Sequence, residues 1–187
     1  MIVGLLGNKR SGKDTAADYL CENHNFVKYS FADPLKKACQ EIFVLSDEQL
    51  YGTETDKETV DERWNASART ILQRVGTEMF RQQLTTIFPE MEEIGKNIWV
   101  YRFKLWYQKF KKENPTKNVI LADVRFDNEA QVVRDLGGVV VKIERPCKKT
   151  KDAHKSEAGI DSIDYDVKLV NDGTLEEYIK KVESIML

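Results

Sequence analysis

The sequence predicts a three-layer α/β/α fold on a parallel sheet of about five strands, and three observations carry that reading. The apolar run Ile2 to Leu6 passes into Gly7-x-x-x-x-Gly12-Lys13 and then directly into a helix-compatible stretch, the order of a phosphate-binding loop. Val119-Ile120-Leu121-Ala122 and Val139-Val140-Val141-Lys142-Ile143 are continuously apolar over most of their length rather than alternating, as strands covered on both faces are. Segments of helical period separate these strands, which makes the connections crossovers and the sheet parallel.

The glycine loop has a physical rationale. A chain that wraps a triphosphate aims several backbone N–H groups inward, which takes φ values that glycine adopts without strain, and the helix start adds its positive dipole end. Lys13 supplies a mobile cation for the β- and γ-phosphates. Lys9, Ser11 and Thr15 complete the loop, and the fold is therefore expected to be P-loop NTPase-like. One position departs from the usual pattern: the residue after the lysine is Asp14, where a Ser or Thr hydroxyl ordinarily reaches Mg²⁺. Either Asp14 meets the metal through water or Thr15 takes part.

Lys13 to about His24 reads as the first helix, with Ala17, Leu20 and Cys21 on one side, and Phe26 to Ser30 as a second strand. Asp33 and Pro34 suit the N-cap and first position of a helix whose apolar stripe is Leu35, Ala38, Cys39 and Ile42. Lys36 then falls in its first turn, against the dipole, where an anionic group would offset it. Ser46 to Asn65 is acid-rich without sustained period and is expected to be a mobile excursion. Ser67 caps a further helix with Ile71, Leu72, Val75 and Met79 buried and Arg69, Gln73, Gly76 and Thr77 on another face. Gly76 inside a helix suggests a close approach, to ligand or to another helix.

Ile94 to Phe110 spreads its aromatics around the helix, which predicts burial on several sides with Trp99 as the exception. The strand from Val119 ends at Asp123-Val124-Arg125, and ligands in such sheets gather at strand carboxyl ends. Asp123 suits a metal-bound water or a substrate hydroxyl, and Arg125 a bidentate phosphate clamp, against the purely structural alternative of an Asp–Arg pair. Asp127 or Asn128 caps the next helix, with Glu129 in its first turn. After Val139–Ile143 comes Arg145-Pro146, then a basic stretch to about residue 160, with His154, that reads as a lid. Asp166 to Val170 is a last strand, Asn171-Asp172-Gly173 a turn, and Thr174-x-x-Glu177 a capping box opening a helix with Leu175, Tyr178, Ile179, Val182 and Met186 inward.

Composition bounds the rest. The chain has 187 residues, 32% charged and 41% apolar, with a net charge of −2. It suits a single domain that no global field draws to nucleic acid. No apolar run reaches membrane-spanning length, and Met1 leads straight into the first strand, so a cytoplasmic location is expected. Three cysteines without paired metal spacing read as reduced packing thiols. Cationic elements besides Lys13, at Lys36, Arg69, Arg125, Arg145 and the lid, favour a kinase over a switch, because two anionic substrates must be neutralised.

The loop Gly7-x-Lys9-Arg10-Ser11-Gly12-Lys13-Asp14-Thr15 resembles that of the deoxynucleoside-monophosphate kinases of phages and large DNA viruses, which also carry aspartate after the lysine. Ala32-Asp33-Pro34-Leu35-Lys36, Arg69-x-x-x-Gln73-x-x-Gly76-Thr77, Trp99-Val100, Asp123-x-Arg125-x-x-x-Glu129, Arg145-Pro146, His154-x-Ser156-Glu157-Ala158-Gly159 and Asn171-Asp172-Gly173 are similar in the same order. The resemblance implies ATP as donor, Mg²⁺, and a deoxynucleoside monophosphate as acceptor, in the host cytoplasm if the source is viral. It assigns Lys36, Arg69, Gly76, Thr77, Trp99, Asp123, Arg125 and Glu129 to the monophosphate side, within about residues 31–113 and the Asp123 strand end. Arg145 and Asn171-Asp172-Gly173 join the loop on the ATP side. Lys13, Arg69, Asp123 and Arg125 are the candidate catalytic residues. Related small-molecule kinases, for dephospho-coenzyme A or phosphomevalonate, and a nucleotide-dependent switch are the alternatives; a homodimer is left open.

Overall fold

A computed structural model describes residues 1–146 and 159–186, and the chain falls into two compact units, Met1–Ser30 with Trp106–Leu187, and Phe31–Leu105. The predicted lid, with Cys147, Lys148, Lys149, Lys151, His154, Lys155, Ser156, Glu157 and Ala158, lies outside the described residues.

The first unit is built on β1 (Ile2–Leu6), β2 (Phe26–Tyr29), β5 (Asn118–Val124), β6 (Val139–Glu144) and β7 (Val167–Val170). They form one sheet in the order β2-β5-β1-β6-β7, with every pairing parallel. Valine, isoleucine and leucine dominate the three central strands because helices cover both faces. On one face α1 (Lys13–Asn23) and α9 (Leu175–Glu183) close a core of Val3, Leu5, Ala17, Leu20, Ile120, Val141, Tyr178 and Val182. On the other, α8 (Asp127–Asp135) packs so near β1 that a Cβ on Gly4 would meet Val133 Cγ2 at 2.9 Å. From β1 the chain crosses to β2 on one side, and from the neighbouring β5 it crosses to β6 on the other. Their carboxyl ends therefore flank the point where the strand order reverses, the general ligand position of such sheets.

The second unit holds α2 (Asp33–Phe43), α3 (Asp47–Tyr51), α4 (Glu54–Glu58), the two-residue strands β3 (Val60–Asp61) and β4 (Ala66–Ser67), α5 (Ala68–Gln73), a π-helix (Arg74–Gln82) and α6 (Leu84–Ile87). Its core is Cys39, Leu45, Leu50, Ala68 and Ile71. The long helix α7 (Ile98–Glu113) begins in this unit and ends in the first.

Five expectations are corrected. Ser46 to Asn65 is not an unstructured excursion: Ser46 with Gln49 and Thr53 with Asp56 form capping boxes that open α3 and α4, helices too short to show a period. The stripe through Met79 breaks because the helix widens to π geometry at Arg74, which rotates later residues off a 3.6-residue face, and Met79 is 47% exposed. Helix α7 buries Val100 and Phe103 while Tyr101 and Leu105 are exposed, so its apolar spread is not burial all round. Leu175, in the first turn of α9, is likewise exposed rather than inward. Asp33 and Asp127 stand inside their helices, which Ala32 and Phe126 precede without side-chain caps.

Candidate functional site

The loop after β1 has the conformation its glycines permit. Gly7 and Gly12 have φ of 155° and 109°, and a Cβ on Gly7 would lie 2.3 Å from the Ile143 carbonyl oxygen. Gly12 is the N-cap of α1 and offers no side chain to its first N–H groups, leaving those donors for an anion. Lys13 Nζ folds back over the loop and donates to the carbonyls of Gly7 at 2.6 Å and Asn8 at 2.8 Å. Ser11 is 3% exposed and its Oγ is buried with no hydrogen-bond partner among the described residues. A buried hydroxyl left unsatisfied is costly, and a phosphate oxygen would satisfy it.

Two residues from the far end of the first unit hold the loop in shape. Asn171 Nδ2 donates to the Ser11 carbonyl at 3.0 Å, and Tyr178 Oη to the Gly12 carbonyl at 2.9 Å. Burial pushes the Tyr178 hydroxyl pKa up to about 12, so it remains a donor throughout the neutral range. Asp172 points instead to Lys181, at 2.6 Å, whose ammonium draws its carboxyl below the ordinary value. A Cβ on Gly173 would strike the Glu177 carboxylate, which accepts from the Thr174 N–H in the predicted capping box. Lys9 and Arg145 are exposed, Arg145 at the end of β6.

Asp14 and Thr15 are exposed at the start of α1. Asp14 is balanced by Lys28 of β2, whose Nζ lies 3.1 Å from Asp14 and 3.0 Å from Asp18. Partial burial lowers the Lys28 pKa, but the hydrogen bonds to Asp18 and Asp14 outweigh it and the net shift is upward. Asp123, at the end of β5, accepts a 2.6 Å hydrogen bond from Ser30 just past β2. Arg125 is exposed, while its backbone N–H donates to Glu129, 2% exposed in the first turn of α8, at 2.9 Å. That bond closes the turn between strand and helix and fixes how Asp123-Val124-Arg125 leaves the sheet.

Arg69, Trp99, Gly76 and Lys36, monophosphate-side candidates of the second unit, are each engaged. Arg69 is bound by Glu54 and Glu58 of α4. The Trp99 indole donates to the Gly76 carbonyl at 3.1 Å and its ring meets Phe80 edge-on at 5.4 Å, tying the π-helix to α7. A Cβ on Gly76 would stand 2.6 Å from Leu35 Cδ2, so the close approach suspected there is to α2. Thr77 is exposed, and the Lys36 ammonium lies 4.4 Å from the Tyr51 ring centroid. The structure thus joins Trp99 to Gly76, Asn171 to the glycine loop and Arg125 to Glu129.

Sequence reasoning missed Ser30, Lys28 and the α4 glutamates, and it did not see the loop-holding role of Tyr178. An aspartate at the usual hydroxyl position does call for a counter-cation; only the strand arrangement reveals that Lys28 provides it.

Among the described residues no three His, Cys, Asp or Glu side chains gather as a metal cluster, and no helix is long and apolar enough to cross a membrane.

These features match known proteins along the chain. It is 47% identical over 186 residues to a protein of Acanthamoeba polyphaga mimivirus named provisionally as a deoxynucleotide monophosphate kinase, covering 98% of this chain and 95% of that one. It is 25% identical to the deoxynucleotide monophosphate kinase of Enterobacteria phage T4, covering 99% and 98%. Among solved structures, dephospho-CoA kinase from Campylobacter jejuni shares the fold, with a TM-score of 0.50 and 16% identity over 99% of this chain and 94% of that one. The model of the family described as Deoxynucleotide monophosphate kinase matches residues 1–66 and 49–182. Matched by this family's model along most of its length and 47% identical to a relative over 98% of it, the chain belongs to the deoxynucleotide monophosphate kinase family.

Proposed function

We propose that the protein transfers the γ-phosphoryl group of ATP to a deoxynucleoside monophosphate, giving ADP and the diphosphate. The observation that carries this beyond family membership is the buried, partnerless Ser11 hydroxyl within a glycine loop that Asn171 and Tyr178 hold open. A loop that merely turned the chain would have no reason to leave that group unsatisfied.

The roles follow from charge and position. Gly7, Lys9, Ser11, Gly12 and Lys13 hold the ATP phosphates, Lys13 leaving the loop carbonyls for the more strongly attracting β/γ oxygens. Asn171, Asp172, Gly173 and Arg145 support the ATP side. For the acceptor, Arg125 and Glu129 are the candidates in the first unit, and Arg69, Lys36, Gly76, Thr77 and Trp99 those in the second, with either arginine suited to a phosphate. Phosphoryl transfer depends on positioning and on neutralising charge, so no general base is required. Asp14, Thr15 and Asp123 offer hard oxygen donors of the kind Mg²⁺ takes, and three gathered carboxylates are not needed because this ion keeps several waters. Bound there, it would neutralise charge on the transferring phosphates. A carboxylate paired to Lys28, rather than a hydroxyl, suits contact through water.

A coupled assay of ADP release over the ribo and deoxy forms of all the nucleoside monophosphates tests the reading. Release that depends on a deoxynucleoside monophosphate supports it; release unchanged by every acceptor rejects it.

A further inference from the structure

Arg69 stands in the first turn of α5 with its side chain 28% exposed, and two carboxylates converge on it from α4. Nη2 donates to Glu54 Oε2 at 2.5 Å, and Nη1 lies 3.4 Å from Glu58 Oε1. Glu54 and Glu58 are the first and last residues of α4 and share its face at i and i+4 spacing. Like charges at that spacing repel, so their sharing a face is a small cost that the guanidinium between them offsets. The helix does not need Arg69 to form, because the Thr53–Asp56 capping box closes its start.

Two carboxylates already occupy the guanidinium, so a phosphate dianion arriving there must compete with them for Arg69. Two oxygens on two guanidinium nitrogens are also the pattern that a phosphate itself presents to arginine. The two glutamates are unequal: Glu58 is more distant and its side chain is 60% exposed, against 35% for Glu54. The Glu58 pair is the more exposed and the weaker, and a dianion competes well against it.

We propose that Glu54 and Glu58 mask Arg69 until an acceptor arrives and are displaced by the monophosphate, Glu58 first. The inference rests on the reading that Arg69 takes the acceptor phosphate. It makes α4 the segment that responds to acceptor binding, and it favours ligands carrying a dianionic phosphate over nucleosides, which cannot replace the lost carboxylates.

The test is steady-state kinetics with dAMP, dGMP, dCMP and dTMP on the wild type, Glu54→Gln, Glu58→Gln, the double variant and Arg69→Ala. Removing the competing charges should raise kcat/KM for the accepted monophosphate roughly threefold to tenfold, carried by a lower KM. Arg69→Ala should raise that KM by about tenfold or more. In parallel, amide exchange at residues 53–58 of the wild type should quicken when monophosphate is added. If Arg69→Ala raises KM while the glutamine variants leave it unchanged or raise it, or if exchange at 53–58 does not respond, the glutamates are fixed supports and the proposal is overturned. If Arg69→Ala leaves KM unchanged, the reading beneath it is wrong.

Discussion

The Ser30 hydroxyl donates a 2.6 Å hydrogen bond to Asp123 Oδ2, joining the ends of two adjacent parallel strands across 93 positions of sequence. Tyr29 pairs with Leu121, so the register carries Ser30 past the end of β2 to where β5 delivers Asp123. A carboxylate held this way is aimed before any ligand arrives, which is the kind of preorganisation that phosphoryl transfer depends on.

Ser30→Ala removes that bond and leaves the strand intact. A hydrogen bond to a charged group contributes about 1.5–3 kcal/mol, so kcat/KM should fall by roughly tenfold to a hundredfold. Melting should fall by a few degrees for the same lost bond. Wild-type kcat/KM in Ser30→Ala would mean that Asp123 does not depend on Ser30.

Tyr178→Phe should separate two effects. Loss of the bond to the Gly12 carbonyl should weaken ATP binding a few-fold, read from the ATP concentration needed to raise the melting temperature. The second effect is on alkaline stability. The folded-state pKa of about 12 exceeds the ordinary value of 10.0, so this tyrosine's contribution is fully present below pH 10 and is lost as pH rises through 12. Urea titrations at pH 8 and above should show wild type losing more stability than Tyr178→Phe across that window.

Asp61 is the acid-side counterpart. It is 9% exposed and accepts from Arg63 Nε and Nη2 and from Gln49 Nε2. The Arg63 hydrogen bonds, then Gln49, hold its carboxyl well below the usual 3.8. Its contribution is therefore present above pH 3.8 and lost as pH falls further. Asp61→Asn should lower the neutral melting temperature and flatten the acid limb; parallel acid limbs would contradict the assignment.

Gly12→Ala places a Cβ 2.6 Å from Asn171 Nδ2 at a φ of 109°. It should cost about 1–3 kcal/mol of stability and abolish the ATP-induced rise in melting temperature. Unchanged nucleotide protection would show that the loop does not need its left-handed turn.

What was legible in the chain follows the range of the physics. The Gly7–Lys13 loop and the Thr174–Glu177 capping box are local, since their spacing alone dictates the bonds they make. The doubly covered strands were legible because burial on both faces leaves a continuous apolar run. The π-helix from Arg74 was not, because a stripe read at 3.6 residues per turn cannot register the wider helix that exposes Met79. The α3 and α4 helices span five residues each, too few for periodicity, although their capping boxes were present to be read. Ser30 with Asp123, Lys28 with Asp14, and Arg69 with Glu54 and Glu58 depend on contacts that no spacing rule encodes.

The central claim is that the γ-phosphoryl group passes from ATP to a monophosphate. Phosphorus NMR of a mixture of protein, ATP, Mg²⁺ and the accepted deoxynucleoside monophosphate observes this directly. The account predicts that the γ resonance of ATP is lost as the two resonances of the deoxynucleoside diphosphate grow in equal amount, and that Lys13→Ala abolishes both changes. Inorganic phosphate appearing in place of the diphosphate would contradict it.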